Sequence, residues 1–363
     1  MKRKYATVTI LAMIILLFSS YFLVTNYMPN IQPSKQKLTV FCATSLQFPL
    51  NIVETDFENA YQNIDLEVQG HGTIQVVRHV TELHDKVDVV LVADYSLIPV
   101  MMYPTKISGT NESYARYYIR FATNTLVLAY TNSSKYANEI NSHNWCSIVA
   151  RSDAKIGLAN PQFDALGYRA LMAIQLAQDY YGVSDLFHTL ITVNMEPPIS
   201  SIPDGENYTI SVPEIQEPKG DKLTLRASEV DLIDLLQLGY LDYCFIYLSN
   251  AKQYGFNYVE LPDEVNMGSA QNQSNYERIQ VVYEHERFAT VSLDRTGETI
   301  YYGLTIPANA PHPELAEEFI KFILAEQGKT DFENCYHPIF SPSFTDNLQA
   351  VPANLTSLVT AEP

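Results

Sequence analysis

Strand-like and helical segments alternate along most of this chain, and this alternation constrains its fold more than any other feature. The strand-like "KLTVFCA" precedes the helical "SLQFPLNIVETDFENAY", and "IDLEVQG" precedes the helical "TIQVVRHVTELHD". The run "VDVVLVA" is continuously apolar and β-branched, which is typical of a strand buried on both faces of a parallel sheet. The order β-α-β-α therefore predicts an α/β fold with helices on both faces of mixed, mostly parallel sheets.

The second half of the chain continues the pattern, with two interruptions. "AKIGLAN" leads into the helix "LGYRALMAIQLAQDYYG", and the helix "SEVDLIDLLQLG" precedes the strand "LDYCFIY". "SKYANEIN" (134–141) and "PELAEEFIKFILAEQGKTDFE" also predict helices. Residues 195–222 are rich in Pro, acidic residues and turn formers, which predicts an exposed insertion, and residues 267–279 predict a polar loop.

Two long extended passages, near residues 117–130 and 288–306, contain no helix of their own. In a two-domain α/β protein such passages are natural crossovers between lobes, and 363 residues suit two domains. We therefore expect a ligand cleft between two lobes. The predicted organisation is an N-terminal segment 1–36, lobe 1 from 37–122 plus 296–345, lobe 2 from 123–295, and a C-terminal tail 346–363.

The N-terminus has the pattern of a membrane anchor. Lys2, Arg3 and Lys4 precede an uncharged run from Tyr5 to Met28. This run has the length of a spanning helix, and no small-residue cleavage site follows it. Because basic residues stay on the cytoplasmic side, the rest of the chain is predicted to lie outside the cell, held by a single transmembrane helix. A cleaved signal, which would give a secreted protein, is the alternative.

Charge and cysteine content exclude several partners and sites. The formal net charge of −18 argues against nucleic acid and anionic membrane surfaces as partners. The four cysteines could pair in three ways outside the cell, but none forms a CxxC pair, so a zinc site is not expected. We expect a monomer without a resident cofactor.

Polar residues stand where several predicted strands end and helices begin. Ligands collect at such junctions, because helix N-termini offer unpaired N–H groups and a partial positive charge. Four junctions contain Ser45, Thr73, Asp164 and Glu229, and Tyr247 ends the strand "LDYCFIY". Taken singly, each has a structural explanation, since Ser, Thr and Asp cap helices and Glu suits a first turn.

The order and spacing of longer segments add a family resemblance. From Leu38 to about Asn334, the chain resembles the archaeal-type tungstate/molybdate-binding proteins, the extracellular receptors of oxyanion ABC importers. That resemblance implies a two-lobed, periplasmic-binding-protein-like (type II) clamp and a membrane permease as partner. The matching segments include "GHGTIQVVRHVTELHDKVDVVLVADYSLIP", "NPQFDALGYRALMAIQLAQDYY", "EVDLIDLLQLGYLDYCFIYLSNAKQYGFNYVELPDEVN" and "YGLTIPANAPHPELAEEFIKFIL".

The resemblance also implies roles for the junction residues. Hydroxyls and amides of two early loops, at Ser45 and Thr73, would hold the oxygens of tungstate or molybdate. Asp164, Glu229 and Tyr247 would approach from the other lobe, and the two carboxylates would bind the metal atom itself. The oxyanion would then become roughly six-coordinate.

Two carboxylates beside a dianion require a physical reason. Repulsion costs about 4 kcal/mol per pair of unit charges at about 4 Å and an effective dielectric constant of about 20. A high-valent tungsten or molybdenum atom can accept additional oxygen ligands, while helix N-termini face the oxo groups. Sulfur and phosphorus cannot expand in this way, so the same carboxylates would reject sulfate and phosphate.

Other functions remain open from the sequence. The same clamp could bind another oxyanion, such as sulfate or phosphate. An extracellular hydrolase could use Asp164 and Glu229 as an acid/base pair, although no nucleophile is evident. A sensor would require a cytoplasmic domain, and only about four residues precede the apolar run.

Overall fold

The computed structural model describes residues 13–21, 35–284 and 294–362. The strands are β1 (Gln36–Ala43), β2 (Ile64–His71), β3 (Val89–Val92), β4 (Ile119–Thr123), β5 (Leu126–Tyr130), β6 (Ile156–Ala159), β7 (Met195–Glu196), β8 (Ser200–Asp204), β9 (Asn207–Val212), β10 (Glu217–Pro218), β11 (Leu223–Arg226), β12 (Tyr243–Tyr247), β13 (Asn257–Glu260), β14 (Ile279–Tyr283), β15 (Arg295–Thr296), β16 (Tyr301–Thr305), β17 (Ile339–Thr345) and β18 (Val359–Ala361).

The helices lie mainly on the faces of the sheets. They are α1 (seen over residues 13–21), α2 (Gln47–Ala60), α3 (Thr73–Thr81), α4 (Trp145–Val149), α5 (Ala165–Tyr181), α6 (Leu186–Leu190), α7 (Glu229–Gln237), α8 (Leu248–Gln253), α9 (Gln273–Tyr276), α10 (Pro313–Leu324) and α11 (Glu326–Asn334). Short 3₁₀ turns cover Thr44–Leu46, Thr192–Asn194, Ala270–Asn272 and Ala353–Leu358, and a π-helical turn covers Ile98–Met102.

The first lobe is built on a seven-stranded sheet in the order β18-β17-β4-β16-β3-β1-β2. Strands β1, β2 and β3 run parallel, whereas β16 runs antiparallel to β3 and β4. All four residues of β3 are buried, as its continuous apolar run predicts. Strand β18 pairs with β17, so the segment set apart as a C-terminal tail contributes to this sheet.

The second lobe contains a five-stranded sheet in the order β11-β6-β12-β5-β13. The chain passes into it from β4 to β5 and returns from β15 to β16, and the Thr123 hydroxyl donates to the Ile300 carbonyl across the two passages at 2.8 Å. The two-lobed α/β architecture with mixed sheets is therefore confirmed, but the prediction of mostly parallel sheets is wrong, because each of these two sheets has as many antiparallel as parallel strand pairs. Antiparallel pairs arise because the crossover strands β4, β5 and β16 enter the sheets against the direction of the β-α units.

Residues 195–222 are mostly exposed, as predicted for an insertion, but the sequence analysis did not predict their strands. This segment forms β7 to β10, and β8 and β9 join β14 and β15 in a separate four-stranded sheet. Ile210 and Val212 of β9 are buried. Their alternation is the period of a half-buried strand, but the surrounding prolines and acidic residues obscure it.

The predicted helix at residues 134–141 is also wrong, because this segment forms turns and α4 begins only at Trp145. The Asn144 side chain accepts from the Asn141 N–H at 2.8 Å and donates to the Glu139 carbonyl at 2.9 Å. Such side-chain bonds to the backbone compete with helix formation. The predicted late helix is interrupted at Ala325, whose ψ of 178° is extended, and this separates α10 from α11.

The predicted anchor is described only in part. Residues 13–21 are helical and exposed. Over the described residues, no helix is both long enough and apolar enough to span a membrane. The remainder of the predicted anchor, residues 5–12 and 22–28, lies outside the described residues. Cys42, Cys146, Cys244 and Cys335 are all described, and each is buried with a free thiol.

Candidate functional site

Three helix N-termini converge on the carboxyl group of Asp164. Asp164 is the N-cap of α5, and its Oδ1 accepts from the Leu166 N–H at 3.2 Å. The same carboxyl accepts from the backbone N–H groups of Thr73, the first residue of α3, and Glu229, the first residue of α7. Because α3 belongs to the first lobe and α5 and α7 to the second, this junction forms only where the lobes meet.

The two predicted acids are buried next to each other. Asp164 is 3% exposed and Glu229 is 1% exposed. Burial raises the pKa of Asp164 to about 6, although its three backbone hydrogen bonds oppose the shift. Burial, and then the charge of Asp164, raise the pKa of Glu229 well above its ordinary value. Two neighbouring carboxyl groups that resist ionisation therefore lie at this junction.

Glu229 keeps one oxygen available for a ligand. Its Oε1 accepts from the Tyr247 N–H at 2.9 Å. Its Oε2 is buried and has no hydrogen-bond partner within the described part of the chain. The hydroxyl of Thr73 is likewise buried without a partner among the described residues. Buried polar atoms are normally satisfied, so both atoms are available for hydrogen bonds to a polar ligand.

Tyr247 connects this junction to the first lobe. Its hydroxyl accepts a hydrogen bond from Nη1 of Arg169 at 2.9 Å, and its ring lies 5.8 Å from the ring of Tyr302. The Tyr302 hydroxyl donates to Oγ of Ser45 at 3.3 Å and accepts from Nδ2 of Asn124 at 3.1 Å. Ser45 itself lies in the 3₁₀ turn directly after β1.

A buried histidine contacts the 3₁₀ turn that contains Ser45. His337 is buried, and its Nε2 lies 3.2 Å from the Ser45 carbonyl oxygen, so the ring donates there. Burial lowers the pKa of His337 to about 4, which leaves the ring uncharged at neutral pH. The guanidinium of Arg169 therefore provides positive charge in this set of contacts at neutral pH, next to the Tyr247 hydroxyl.

All five residues selected from the sequence meet in one continuous set of contacts. Thr73 and Glu229 donate to Asp164, Glu229 accepts from Tyr247, and Tyr247 reaches Ser45 through Tyr302. Their roles in binding a ligand stay predictions. Over the described residues, no group of three or more His, Cys, Asp or Glu side chains could hold a metal ion by itself.

The sequence analysis did not select Tyr302, Asn124 or Arg169 as residues of the site. Tyr302 lies in the extended "TIYYGLTIP", where strand alternation places it inward and Tyr301 outward, so its signal was present. Asn124 is a polar residue between the apolar runs of β4 and β5, at the crossover. The contact of Arg169 with the first lobe had no sequence signal, because it depends on how the lobes meet.

Backbone contacts close the cleft. The N–H groups of Ile74 and Gln75, in the first turn of α3, donate to the Phe163 carbonyl of the other lobe at 3.0 and 3.3 Å. Gly72 caps this helix, and a Cβ there would lie 2.5 Å from the Phe163 oxygen and 3.0 Å from the Ala227 oxygen. The lobes therefore approach each other at a position where no side chain fits.

We expect Gly72→Ala to hold the lobes apart. The new methyl group would meet a carbonyl of the opposite lobe, which cannot rotate away as a side chain can, so the radius of gyration in X-ray scattering should increase. Gly70→Ala is the matched control, because its Cβ would meet only the flexible end of the Gln47 side chain in the same lobe. Equal radii of gyration for both variants and the wild type would contradict the expectation.

Comparison with known proteins decides the family. The family described as bacterial extracellular solute-binding proteins matches residues 38–334. This chain belongs to that family. The match covers most of both lobes and all the residues of the site described above except His337.

Similar proteins of this solute-binding family come from archaea. The chain is 36% identical over 325 residues to a molybdate/tungstate-binding protein WtpA of Thermococcus kodakarensis, with 86% of this chain and 85% of the relative covered. It is also 36% identical over 318 residues to WtpA of Pyrococcus abyssi, with 84% and 85% covered. A solute-binding protein of Methanococcus maripaludis is 36% identical over 322 residues, with 89% and 92% covered.

Solved structures support the fold of this solute-binding protein. The periplasmic molybdate-binding protein of Azotobacter vinelandii aligns with a TM-score of 0.53 at 12% identity, covering 83% of this chain and 98% of that one. The sulfate-binding protein SubI of Mycobacterium tuberculosis gives the same TM-score and identity, covering 85% and 88%. The fold is thus shared by receptors of different oxyanions and does not itself choose among them.

Proposed function

We propose that this solute-binding protein captures tungstate or molybdate in the interlobe cleft and delivers it to the permease of an ABC importer. One observation carries the proposal: two buried carboxyls, Asp164 and Glu229, lie at the meeting point of three helix N-termini. The names of the Thermococcus and Pyrococcus relatives, which cover most of this chain, support the same ligand class.

The site offers different groups to the oxo groups and to the metal atom of the oxyanion. The hydroxyls of Ser45, Thr73 and Tyr247 provide hydrogen-bond donors for oxo groups, and the positive ends of the helix dipoles favour an anion nearby. Asp164 and Glu229 provide oxygen ligands for the metal atom, and Oε2 of Glu229 has no competing partner among the described residues. Binding at the metal draws both carboxyls towards their ionised forms, because a highly charged centre stabilises carboxylate.

Sulfate and phosphate lack a centre that can accept these ligands. With such an anion, both carboxylates would face negative oxygens, and each contact would cost energy rather than contribute it. Sulfate receptors share this fold, so selectivity must come from the site. The carboxyl pair therefore favours tungstate or molybdate over the alternative oxyanions.

A hydrolase using the same two acids is the less favoured reading. Asp164 already accepts three backbone hydrogen bonds, which hold it as an acceptor rather than as a mobile acid or base. The relatives that match most of the chain are named as solute-binding proteins. Capture and release without chemistry accounts for the site more simply.

Isothermal calorimetry with tungstate, molybdate, sulfate and phosphate tests the proposal. We expect binding of the first two to be at least about 1,000-fold tighter, which corresponds to about 4 kcal/mol. X-ray absorption at the metal edge should report about six oxygen neighbours in the bound state instead of four. Equal affinity for sulfate, or four-coordinate bound tungstate, would remove the carboxylate mechanism.

We also propose that residues 5–28 anchor the protein in the membrane with its lobes outside the cell. The uncharged run behind a basic cluster supports this location. A tether would keep the receptor near the permease and raise its local concentration there. Mass spectrometry of protein isolated from membranes tests the anchor, because a cleaved signal would leave a mature N-terminus beyond residue 28.

A further inference from the structure

We propose that Arg169 is a positioning residue that couples closure of the two lobes to the hydroxyl of Tyr247, and that Asp94 holds it in place. The inference rests on the proposed function, because Tyr247 is one of the proposed ligand-binding residues. It adds a contact between the lobes outside the set of residues that would touch the oxyanion.

One guanidinium spans both lobes. Arg169 lies in α5 of the second lobe and is 1% exposed. Its Nη1 donates to the Ala93 carbonyl at 2.6 Å and to the Tyr247 hydroxyl at 2.9 Å, and its Nη2 lies 3.7 Å from Oδ2 of Asp94. Ala93 and Asp94 directly follow β3 in the first lobe. A single side chain therefore contacts the far lobe and the ligand site at once.

This contact determines what Tyr247 can do. A tyrosine hydroxyl has one hydrogen and accepts through its oxygen lone pairs. Because Arg169 donates to that oxygen, the hydroxyl hydrogen must point elsewhere and is available to an anion. Burial raises the pKa of Tyr247, so the hydrogen is retained. The neighbouring positive charge makes the hydroxyl a stronger donor, which suits an oxo group.

Asp94 is fixed by contacts from both lobes. Tyr168, the neighbour of Arg169 in α5, donates its hydroxyl to Oδ2 of Asp94. The N–H and hydroxyl of Ser96 donate to Oδ1 at 3.0 and 2.7 Å. Burial alone would raise the pKa of Asp94, but the charges of Arg169 and Arg295 outweigh it and lower the pKa. An ionised Asp94 thus keeps the guanidinium aligned between Ala93 and Tyr247.

The local sequence "LGYR" explains how α5 reaches this position. A Cβ at Gly167 would lie 2.5 Å from the Pro161 nitrogen and 2.5 Å from the Ala159 oxygen, so only glycine lets the first turn of α5 pack this closely on the end of β6. The next two residues, Tyr168 and Arg169, then both face Asp94. The close packing that Gly167 permits thus brings Tyr168 and Arg169 to Asp94.

A double-mutant cycle tests the coupling. We expect Arg169→Gln and Tyr247→Phe each to weaken tungstate binding at least about 30-fold, and the double variant to be no weaker than the poorer single variant, because the two residues act through one hydroxyl. Arg278→Gln is the matched control, since its ion pair with Asp179 at 2.8 Å lies within the second lobe. Single effects that multiply in the double variant would overturn the coupling.

Milder variants protect the test against loss of folding. Tyr168→Phe removes the hydrogen bond to Asp94, and Asp94→Asn removes the charge next to the Arg169 guanidinium. Both variants should release tungstate faster than the wild type, while their melting temperatures stay near that of Arg278→Gln. An unchanged dissociation rate in both would contradict the role of Asp94. If the wild type binds no oxyanion, the proposed function fails. The radius of gyration of Arg169→Gln then tests the lobe contact alone, and an unchanged value overturns it.

A pH profile provides a readout that a purely structural role would not give. Glu298 is next to Asp94, and Tyr95 donates to its Oε2 at 3.3 Å. The groups around the pair are Ser96, Arg169, Arg295, Tyr168, and, beyond Tyr95, Arg120 and Glu362. Burial and the charge of Asp94 raise the pKa of Glu298 to about 8.

Glu298 is therefore neutral at pH 7 and becomes a second negative charge beside Asp94 as the pH rises through about 8. We expect the tungstate dissociation constant to increase between pH 7 and pH 9 by at least about threefold more in the wild type than in Glu298→Gln, because like charges would disturb the support of Arg169. Identical pH profiles for the two proteins would show that the Asp94 contact does not control binding.

Discussion

Glu229→Gln is expected to abolish selective tungstate binding and, at the same time, to stabilise the unliganded protein. Affinity for tungstate should fall at least about 100-fold, or about 2.7 kcal/mol, because a neutral amide is a poorer ligand for a high-valent metal than a carboxylate. The free energy of unfolding at pH 7 should rise, because burial and the charge of Asp164 raise the pKa of Glu229, whereas glutamine does not ionise.

The stabilising effect follows from the electrostatics of the empty junction. The folded protein raises the pKa of Glu229, so the energetic cost of the acid is absent below the pKa of the unfolded chain and grows as the pH rises above it. Glutamine keeps the acceptor for the Tyr247 N–H but carries no charge. Binding sites commonly sacrifice stability for function in this way.

Chemical denaturation of wild type and Glu229→Gln at pH 5, 6, 7 and 8, with calorimetry at pH 7, measures both effects. The stability difference should increase with pH over this range. Glu264→Gln, at an exposed position of the second lobe, is a control for the loss of one negative charge. A Glu229→Gln protein that is less stable than the wild type would contradict this account of the site.

In contrast to Glu229→Gln, Asp164→Ala is expected to lower the free energy of unfolding. It should also weaken tungstate binding. Asp164 accepts from three backbone N–H groups at three helix N-termini, and alanine leaves all three without an acceptor. An unsatisfied buried donor costs about 1–3 kcal/mol, and partial rehydration reduces the sum, so we expect destabilisation of about 2–4 kcal/mol. Tungstate affinity should fall at least about 100-fold, because one metal ligand is lost.

Asp164→Asn separates the two functions of this residue. Its amide oxygen still accepts hydrogen bonds at the junction, so most of the stability should return, whereas tungstate binding should not. Urea denaturation and calorimetry of the three proteins provide the comparison. If Asp164→Asn bound tungstate as the wild type does, Asp164 would be a helix cap and not a ligand.

Much of the site could be predicted because it lies at chain positions that the fold class brings together. The carboxyl ends of parallel strands and the starts of the following helices meet at one edge of a sheet, so Ser45 and Thr73 are neighbours in one lobe. Asp164, Glu229 and Tyr247 follow the same rule in the other. The family resemblance then selected these residues among many helix caps.

The remainder could not be predicted, because it depends on contacts between distant segments. The Phe163 carbonyl meets the first turn of α3, and Arg169 meets Ala93 and Asp94, only after both lobes have folded and closed. The local periodicity of the sequence does not predict such contacts between the lobes. The strands within residues 195–222 were not predicted for a different reason: the turn-forming composition of the segment was more conspicuous than the short alternation of β9.

The hydrogen bonds between the first turn of α3 and the residues that precede α5 have a consequence for the rate of ligand release. The start of α3 in the first lobe is satisfied by two acceptors of the second lobe, the Phe163 carbonyl and the Asp164 carboxyl. Movement of one side chain would not release a solute enclosed between the two lobes. Several main-chain hydrogen bonds between the lobes must break together before the solute can leave. Its residence time should therefore report the frequency of a large hinge motion, and a permease could speed unloading simply by holding the two halves apart.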